Sequence, residues 1–409
     1  MGKNGKLRVG SDFSGIGAFD NAFKRLGIEY ETVYACDMDK YTRQSYIANY
    51  GEPKYYPENV YDREIPRHSL DIYMTSPPCQ AFSLAGKRKG ETDKRGVLFY
   101  NSHEFIQKNK PRYFIFENVK GLLSDDSGKT FQRWLDFLGG KSVNGNPVIF
   151  PHEESVPYHI YWKVLNAKHY GVPQNRERVF IVGIRDDSDN VFNWPKPFPL
   201  TKKLKDVLEE NVDEKYFLSD KLIHTLFETS SGSENQFSPA IPCDIEKVSP
   251  EITARIHKMG RQDPYLKIKS ATSKGYETAT ENDSINFSQP NSETRRGRVG
   301  KEVAQTLDTS CNQGVIQLNP SKESGGKQPY QQNRVYDGNG VSTTLDGACG
   351  KWGVLNEYKI RRLTPRECLR LMDFPDSFKI VCSDSQTYKQ AGNSIVVAVL
   401  ASIIEKLNL

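Results

Sequence analysis

A repeating order of short apolar runs and helical patterns constrains this chain most. Residues 7–10 read as a strand, Ser11-Asp12-Phe13-Ser14-Gly15-Ile16-Gly17 as a glycine-bearing turn, and residues 18–26 as a helix with Phe19, Ala22, Phe23 and Leu26 at helical spacing. A second strand over 30–35 ends at Cys36-Asp37-Met38-Asp39 and leads into a helix over 40–50. Strands at 70–75 and 112–116 alternate with helices near 97–108 and 129–138, and strands near 159–166 and 178–184 complete the alternation. Strands joined through helices run parallel and need cover on both faces, so the expected fold class is α/β with a mainly parallel sheet.

With 409 residues the chain can bury more than one core, and two domains are expected. The pattern changes after Arg185. Trp194-Pro195-Lys196-Pro197-Phe198-Pro199 reads as a stiff linker, and the polar, turn-rich stretch beyond it has little helical periodicity. The expected boundaries are 1–186, 187–358 and a C-terminal segment, 359–409, that returns to the first domain. Within the second part, Arg298-Val299 with Thr306-Leu307-Asp308, Cys311 and Gly314-Val315 is echoed by Arg334-Val335 with Thr344-Leu345-Asp346, Cys349 and Gly353-Val354. Two copies are too few for a solenoid, and two similar hairpins are expected. Thr364-Pro365-Arg366-Glu367 carries the N-cap, the first-turn proline and the acid of a capping box, so a helix starts there. Gln390-Ala391-Gly392-Asn393-Ser394 reads as a turn that opens an amphipathic helix over 395–407.

The basic excess is small, 56 Lys+Arg against 51 Asp+Glu for a formal charge of +5, which permits an anionic partner without requiring one. Seven scattered cysteines without a CxxC pair give no disulfide framework, so a reducing compartment fits, and no metal is expected. No apolar signal core opens the chain, and the longest apolar stretch, near 395–404, is too short for a bilayer. A cytoplasmic location without membrane contact is expected.

Chemistry concentrates at two strand exits. Leu70-Asp71-Ile72-Tyr73-Met74 runs into Thr75-Ser76-Pro77-Pro78-Cys79-Gln80, where the prolines fix φ, withdraw backbone donors and leave one thiol at the strand's end. A lone cysteine is more often a small buried hydrophobe. This one has a carboxylate to match it, because Arg112-Tyr113-Phe114-Ile115-Phe116 leads into Glu117-Asn118-Val119 at the neighbouring exit. Gln174-Asn175-Arg176-Glu177-Arg178 is by itself a solvated charge run, but with Cys79 and Glu117 it completes a set of nucleophile, proton donor and cation. The loop from Phe13 to Gly17 lets backbone approach a ligand, and Asp37 can accept both hydroxyls of a ribose. The pair suits a nucleoside-containing cofactor, and with no phosphate-binding lysine present a pyrophosphate ligand is not supported.

Phe13-x-Gly15-x-Gly17, Pro77-Pro78-Cys79-Gln80, Glu117-Asn118-Val119, Gln174-x-Arg176-x-Arg178 and Gly392-Asn393-Ser394, in that order, resemble the motifs of the cytosine-5 DNA methyltransferases. The resemblance covers nearly the whole chain outside 187–358. It implies a Rossmann-like S-adenosylmethionine-dependent methyltransferase domain with a mainly parallel sheet, plus a smaller, irregular, β-rich target-recognition domain. It also implies roles. Cys79 would add to carbon 6 of a cytosine, Glu117 would hold and protonate ring nitrogen 3, and Arg178 with Arg176 would hold the carbonyl oxygen. S-adenosyl-L-methionine would lie over Phe13, Gly15 and Gly17, with Asp37 on its ribose, Asn59 and Val60 at the adenine, Pro78 beside it and Asn393 near its tail.

A stacked base is out of reach, so the resemblance implies flipping of the target out of double-stranded DNA. Ser83, Lys87 and Arg95 in the basic loop 80–96, and Arg295, Arg296 and Arg298 in the second domain, are the expected DNA contacts. The implied protein is the monomeric modification enzyme of a restriction-modification system, partnered by a cognate restriction endonuclease and associated with the nucleoid in a prokaryotic cytoplasm. A tRNA cytosine-5 methyltransferase would share the same cysteine and glutamate, and a non-catalytic DNA-binding regulator would share the fold alone. The long segment 187–358 favours duplex over RNA, and intact Cys79, Glu117 and Arg178 favour catalysis. The chain departs from the family twice. Ser11 stands where an acid usually lies two residues before the phenylalanine, with Asp12 one position later, which weakens the expectation of an acid-to-cofactor contact there. Asn59 replaces a frequent Asp, and its carbonyl oxygen can still accept a hydrogen bond from an amino group.

Overall fold

The computed structural model describes residues 5–78, 98–187, 190–217, 266–279, 283–288, 292, 294–307, 313–317, 335–336, 353–354 and 359–409. The chain divides into two compact units, Met1–Thr201 with Leu369–Leu409, and Lys202–Cys368.

The first unit is built on an eight-stranded sheet. β1 (Leu7–Asp12), β2 (Tyr30–Cys36), β3 (Ile72–Thr75) and β4 (Tyr113–Val119) lie parallel in the order β2-β1-β3-β4. The connections carry α1 (Ala18–Leu26), α2 (Lys40–Tyr50) and α3 (Leu98–Asn109). Tyr113, Phe114, Ile115 and Phe116 are each at most 1% exposed although they alternate between faces, so both faces of β4 are covered. Phe114 and Phe116 join Tyr73 in one core with Phe99 and Phe105 of α3 and with Trp134 and Phe137 of α4 (Lys129–Leu138). Glycine sets the ends of α1: Gly17 at the N-cap and Gly27 at the C-cap both hold left-handed backbone, φ 81° and 65°. Asp39 caps α2 by accepting from the amides of Tyr41 and Thr42, each at 3.0 Å.

Beyond β4 the order continues as β4-β8-β7-β5-β6, with β5 (Ser142–Val143), β6 (Asn146–Pro147), β7 (Tyr158–Asn166) and β8 (Glu177–Arg185). Here the strict alternation fails. β7 and β8 are joined by residues 167–176, which hold one 3-10 turn (Ala167–Tyr170) and no crossover α-helix, and β8 runs antiparallel to both β7 and β4. The linker expectation is also corrected. Residues 187–201 belong to the first unit because their aromatic residues dock on it: Phe192 lies 5.8 Å from the Tyr161 ring, Phe198 lies 6.1 Å from Tyr170, and the Tyr170 hydroxyl donates to the Pro195 carbonyl.

The C-terminal return begins at Leu369 and not at residue 359. α6 (Asp384–Asn393) includes Gln390 to Asn393, which were expected to form a turn. α7 (Val397–Ile404) is buried on every side and is not amphipathic: Val397, Ala398, Val399, Leu400, Ala401, Ile403 and Ile404 are all buried, and the helix packs against α1.

The second unit is β-rich. β9 (Leu266–Lys269) and β10 (Tyr276–Ala279) form an antiparallel pair. β11 (Ser284–Asn286), β12 (Val299–Gly300), β13 (Gln313–Gln317) and β16 (Lys359–Arg362) form a sheet in the order β12-β11-β13-β16. That last ladder, Gly314 to Gln317 against Lys359 to Arg362, is what keeps residues 359–368 in this unit. β14 (Val335–Tyr336) and β15 (Gly353–Val354) pair in parallel, so the second copy of the echoed pattern is not a hairpin, and in the first copy β12 pairs with β11. The expected capping box opens α5 (Pro365–Leu371): the Thr364 amide donates to Glu367 Oε2 at 2.8 Å, and the Glu367 amide donates to Thr364 Oγ1 at 3.2 Å. Glu367 also receives both Nη atoms of fully buried Arg361, each at 2.8 Å.

Candidate active site

β3 and β4 end side by side, with Thr75 opposite Phe116, and their exits form the rim of the site. Pro77 is buried and Pro78 exposed beyond β3. Cys79, and with it Ser83, Lys87 and Arg95, lies outside the described residues. Asn118 ties the two exits together, its Nδ2 donating to the Pro77 carbonyl at 3.2 Å while its Oδ1 accepts from the Val119 amide. No role was expected for Asn118, although a polar residue between Glu117 and Val119 at the end of a buried strand was the available signal.

Glu117 is 7% exposed and meets Arg178 Nε at 3.0 Å from Oε1. The register explains the contact: Glu117 opposes Phe180 and Val119 opposes Arg178, so Glu117 and Arg178 are diagonal neighbours on one face of the β4–β8 ladder. Burial pushes the Glu117 carboxyl above its ordinary range, against the downward pull of Arg178 and Arg176. A carboxyl that keeps its proton more readily is suited to donating one.

Arg176 is buried as well, and besides its electrostatic pull on Glu117 it bonds to the C-terminal segment. Its Nη2 donates to the carbonyls of Gly392 and Ser394, at 2.9 and 2.8 Å, at the end of α6. These bonds clasp the C-terminal segment, a task that the expected contact with the base's carbonyl oxygen did not include. Gln174, fully buried, adds to that clasp through Nε2 to the Leu371 carbonyl at 2.7 Å. Gln174 had been quoted in the motif without a role.

The glycine-bearing loop from Phe13 to Gly17 follows β1. Phe13 (φ 55°), Gly15 (φ 57°) and Gly17 (φ 81°) all have left-handed backbone, so the chain turns sharply before α1. Asp37 organises this turn, accepting from the Gly15 amide on Oδ2 and from the Asp39 amide on Oδ1, both at 2.9 Å. Each oxygen keeps a lone pair for a ligand hydroxyl. Burial raises the Asp37 carboxyl's pKa, and these two amides oppose the shift. A Cβ built on Gly15 would meet nothing nearer than the Phe13 carbonyl oxygen at 4.0 Å, so the loop leaves open space for close approach. Val60 is buried; Asn59 is exposed, with Oδ1 accepting from the Tyr61 amide at 3.0 Å and Nδ2 donating to Asp62 at 3.1 Å. Asn393 is exposed at the end of α6. Asp12 faces away from this loop, fully buried against Arg63 and the hydroxyls of Tyr34 and Tyr73.

The three arginines of the second unit expected to contact DNA separate into two groups. Arg298 is 1% exposed, with Nη1 donating to the carbonyls of Asn286 and Ser288 at 3.2 and 3.4 Å, so the expected DNA contact is corrected to a structural brace. Arg295 is half-buried and Arg296 exposed, with Arg296 Nε on the Ala271 carbonyl at 2.7 Å. Glu277 of β10 shapes this loop by accepting from the Arg298 and Val299 amides at 3.1 and 3.2 Å and from the Ser270 hydroxyl. It went unnoticed in the sequence because its partners are backbone amides.

A model of the C-5 cytosine-specific DNA methylase family matches residues 7–408. The chain belongs to that family. It is thus a DNA (cytosine-5-)-methyltransferase that uses S-adenosylmethionine, and the open loop, the paired lone pairs of Asp37 and the half-buried Phe13 fit that cofactor. This C-5 cytosine methylase is 33% identical to "Orphan methyltransferase M.SPRI" of Bacillus phage SPR, over 98% of each chain. It is 31% identical to "Type II methyltransferase M.HhaI" of Haemophilus parahaemolyticus, over 97% of this chain and 93% of the relative. Among solved structures, the Dnmt2 methyltransferase of S. pombe matches with a TM-score of 0.54 at 16% identity, covering 99% of this chain and 100% of that one. At that identity the methylase shares the fold with it. Among the described residues, no helix of the methylase is long and apolar enough to cross a membrane.

Proposed function

We propose that this methylase modifies carbon 5 of a cytosine flipped out of a specific duplex DNA sequence, through a covalent adduct to Cys79, as the modification enzyme of a restriction-modification system. The observation that carries the reading is the buried Glu117 carboxyl, raised in pKa, gripped by Arg178 and standing beside the exit of the strand that leads to Cys79.

Carbon 5 of cytosine is a poor nucleophile. The Cys79 thiolate bonds to carbon 6 while the Glu117 proton passes to ring nitrogen 3, and the electron pair of the 5,6 double bond becomes available at carbon 5. Arg178 keeps Glu117 in place and stabilises negative charge that develops toward the carbonyl oxygen. Bound S-adenosylmethionine supplies the methyl group as an electrophilic sulfonium. Loss of the carbon 5 proton and breakage of the sulfur–carbon 6 bond then restore the ring and the thiolate, and Glu117 takes back the proton from nitrogen 3. Phe13, Gly15, Gly17, Asp37, Asn59, Val60, Pro78 and Asn393 hold the cofactor in this reading. The second unit, with Arg295 and Arg296 on the loop shaped by Glu277, serves as the target-recognition domain.

The "Type II" name of the M.HhaI relative supports the restriction-modification role and a cognate endonuclease, and the "Orphan" name of M.SPRI supports a methylase that acts without one. The reading includes action as a monomer in the cytoplasm. The test is methylation of DNA and of tRNA by purified protein with labelled S-adenosylmethionine, followed by sequencing of the modified positions. Cys79→Ala should abolish transfer while cofactor binding persists. Equal activity in that variant, or modification of tRNA alone, would overturn the reading.

A further inference from the structure

The Arg63 side chain is 2% exposed and forms an ion pair with fully buried Asp12, Nη2 to Oδ2 at 2.9 Å. Its remaining bonds go to backbone: Nη2 to the Asn101 carbonyl at 2.8 Å, and Nη1 to the Val60 carbonyl. These three acceptors belong to three different segments of the first unit. Asp12 ends β1 immediately before Phe13. Val60 lies in the segment assigned to the adenine, and Asn101 lies in the first turn of α3, the helix that follows the Cys79 segment in sequence. The aromatic rings of Tyr34 and Tyr73 flank Phe105 of α3 at centroid separations of 5.2 and 4.1 Å, and the Arg63 guanidinium lies 5.4 Å from the Phe105 ring.

We propose that Arg63 is a positioning residue for the cofactor, holding the β1 exit, the adenine segment and α3 as one block; this rests on the cofactor site proposed above. A planar guanidinium can span three acceptors on three segments, whereas an ammonium supplies the same charge at one point. The displaced acid of the first motif gains a purpose here. Because side chains alternate across a strand, moving the acid from position 11 to Asp12 turns it away from the ligand and toward the opposite face, where it anchors Arg63. Burial raises the Asp12 carboxyl's pKa and Arg63 is the strongest opposing influence, so the ion pair depends on Arg63 staying in place.

The role of Arg63 in binding can be separated from its role in charge balance. Arg63→Lys keeps a cation for Asp12 but loses the span. Arg63→Met combined with Asp12→Asn removes both charges while the amide still serves the two tyrosine hydroxyls. S-adenosylhomocysteine titrated calorimetrically into wild type and both variants, with thermal melts of the ligand-free proteins, reads the two roles apart. Both variants should remain folded, melting below wild type because the Val60 and Asn101 carbonyls lose their donor, and should bind about tenfold more weakly at a temperature where each is fully folded, with kcat at saturating cofactor within about twofold of wild type, since a hydrogen bond from a charged donor is worth that much. Wild-type affinity in either variant would overturn the proposal, as would a fall in kcat without a change in affinity. Failure of wild type to bind S-adenosylhomocysteine would strike the cofactor site itself and this inference with it.

Discussion

Glu117 and Arg178 face each other diagonally across an antiparallel ladder, 3.0 Å apart, where the sheet first departs from the parallel order of β1 to β4. Without the reversed β8, Arg178 would not stand at the carboxyl ends of β3 and β4. The pair predicts a pH signature. Glu117 has a pKa raised above the ordinary 4.5, so the folded state holds its proton more tightly than the unfolded state. Its contribution to stability is therefore full below about 4.5 and lost as pH rises through the folded value. Glu117→Gln should gain stability relative to wild type as pH rises through that window, measured by urea unfolding at several pH values. Parallel curves would contradict the raised pKa. The same change should lower the single-turnover methylation rate by about 10²–10⁴, the range of a general acid.

Gly17 predicts a steric limit on the loop between β1 and α1. Its φ of 81° is left-handed, and a Cβ there would fall into the Tyr50 ring of α2. Gly17→Ala should cost roughly 1–3 kcal/mol by strain and overpacking together, read as a lower melting temperature. Gly27→Ala tests the two causes apart, because its φ of 65° is also left-handed while nothing lies within 4 Å of the added carbon. It should cost less than Gly17→Ala. Equal losses would remove Tyr50 from the argument.

Arg176 predicts a loss of stability rather than a selective loss of chemistry. Arg176→Ala leaves the Gly392 and Ser394 carbonyls without their buried donor, a cost of about 1–3 kcal/mol for each unsatisfied group. Faster amide exchange across 390–396 would accompany the fall in melting temperature. A variant of unchanged stability with a much reduced kcat would instead return Arg176 to the base.

Much of the first unit could be read from the chain because each strand and helix carries its own periodicity and its own stops, as with Leu7 to Leu26 and the capped helix at Asp39. What could not be read depends on partners far away in sequence. The β7–β8 reversal is set by pairing across Glu177 to Arg185, and the docking of residues 187–201 is set by the rings of Tyr161 and Tyr170. In the site, the motif spacing singled out Glu117 and Arg178 together. It did not disclose the clasp of Arg176 on the C-terminal segment, because Arg176 and Arg178 flank the first residue of the same strand and only the position of the Gly392 carbonyl sets Arg176 apart. Arg298 was misread for the same reason: a run of arginines looks basic and exposed until the Asn286 and Ser288 carbonyls are seen to bury one of them.

That separation within the arginine run predicts two distinct phenotypes. Burial lowers the Arg298 pKa, and its guanidinium is committed to backbone carbonyls, so Arg298→Ala should unfold the second unit at lower temperature. Arg295→Ala and Arg296→Ala should leave the melting temperature nearly unchanged and weaken DNA binding, each lowering the salt slope of log K by about one if it meets a phosphate. A base contact would instead relax selectivity at one position of the methylated sequence with little change in slope. Glu277→Gln lies between these cases. It loses the negative charge that gathers the Arg298 and Val299 amides but keeps an acceptor, so it should blur sequence preference before it costs stability. If Arg295→Ala and Arg296→Ala both bind DNA as tightly as wild type across the salt range, the loop is not the reading surface, and target recognition must lie elsewhere in the chain.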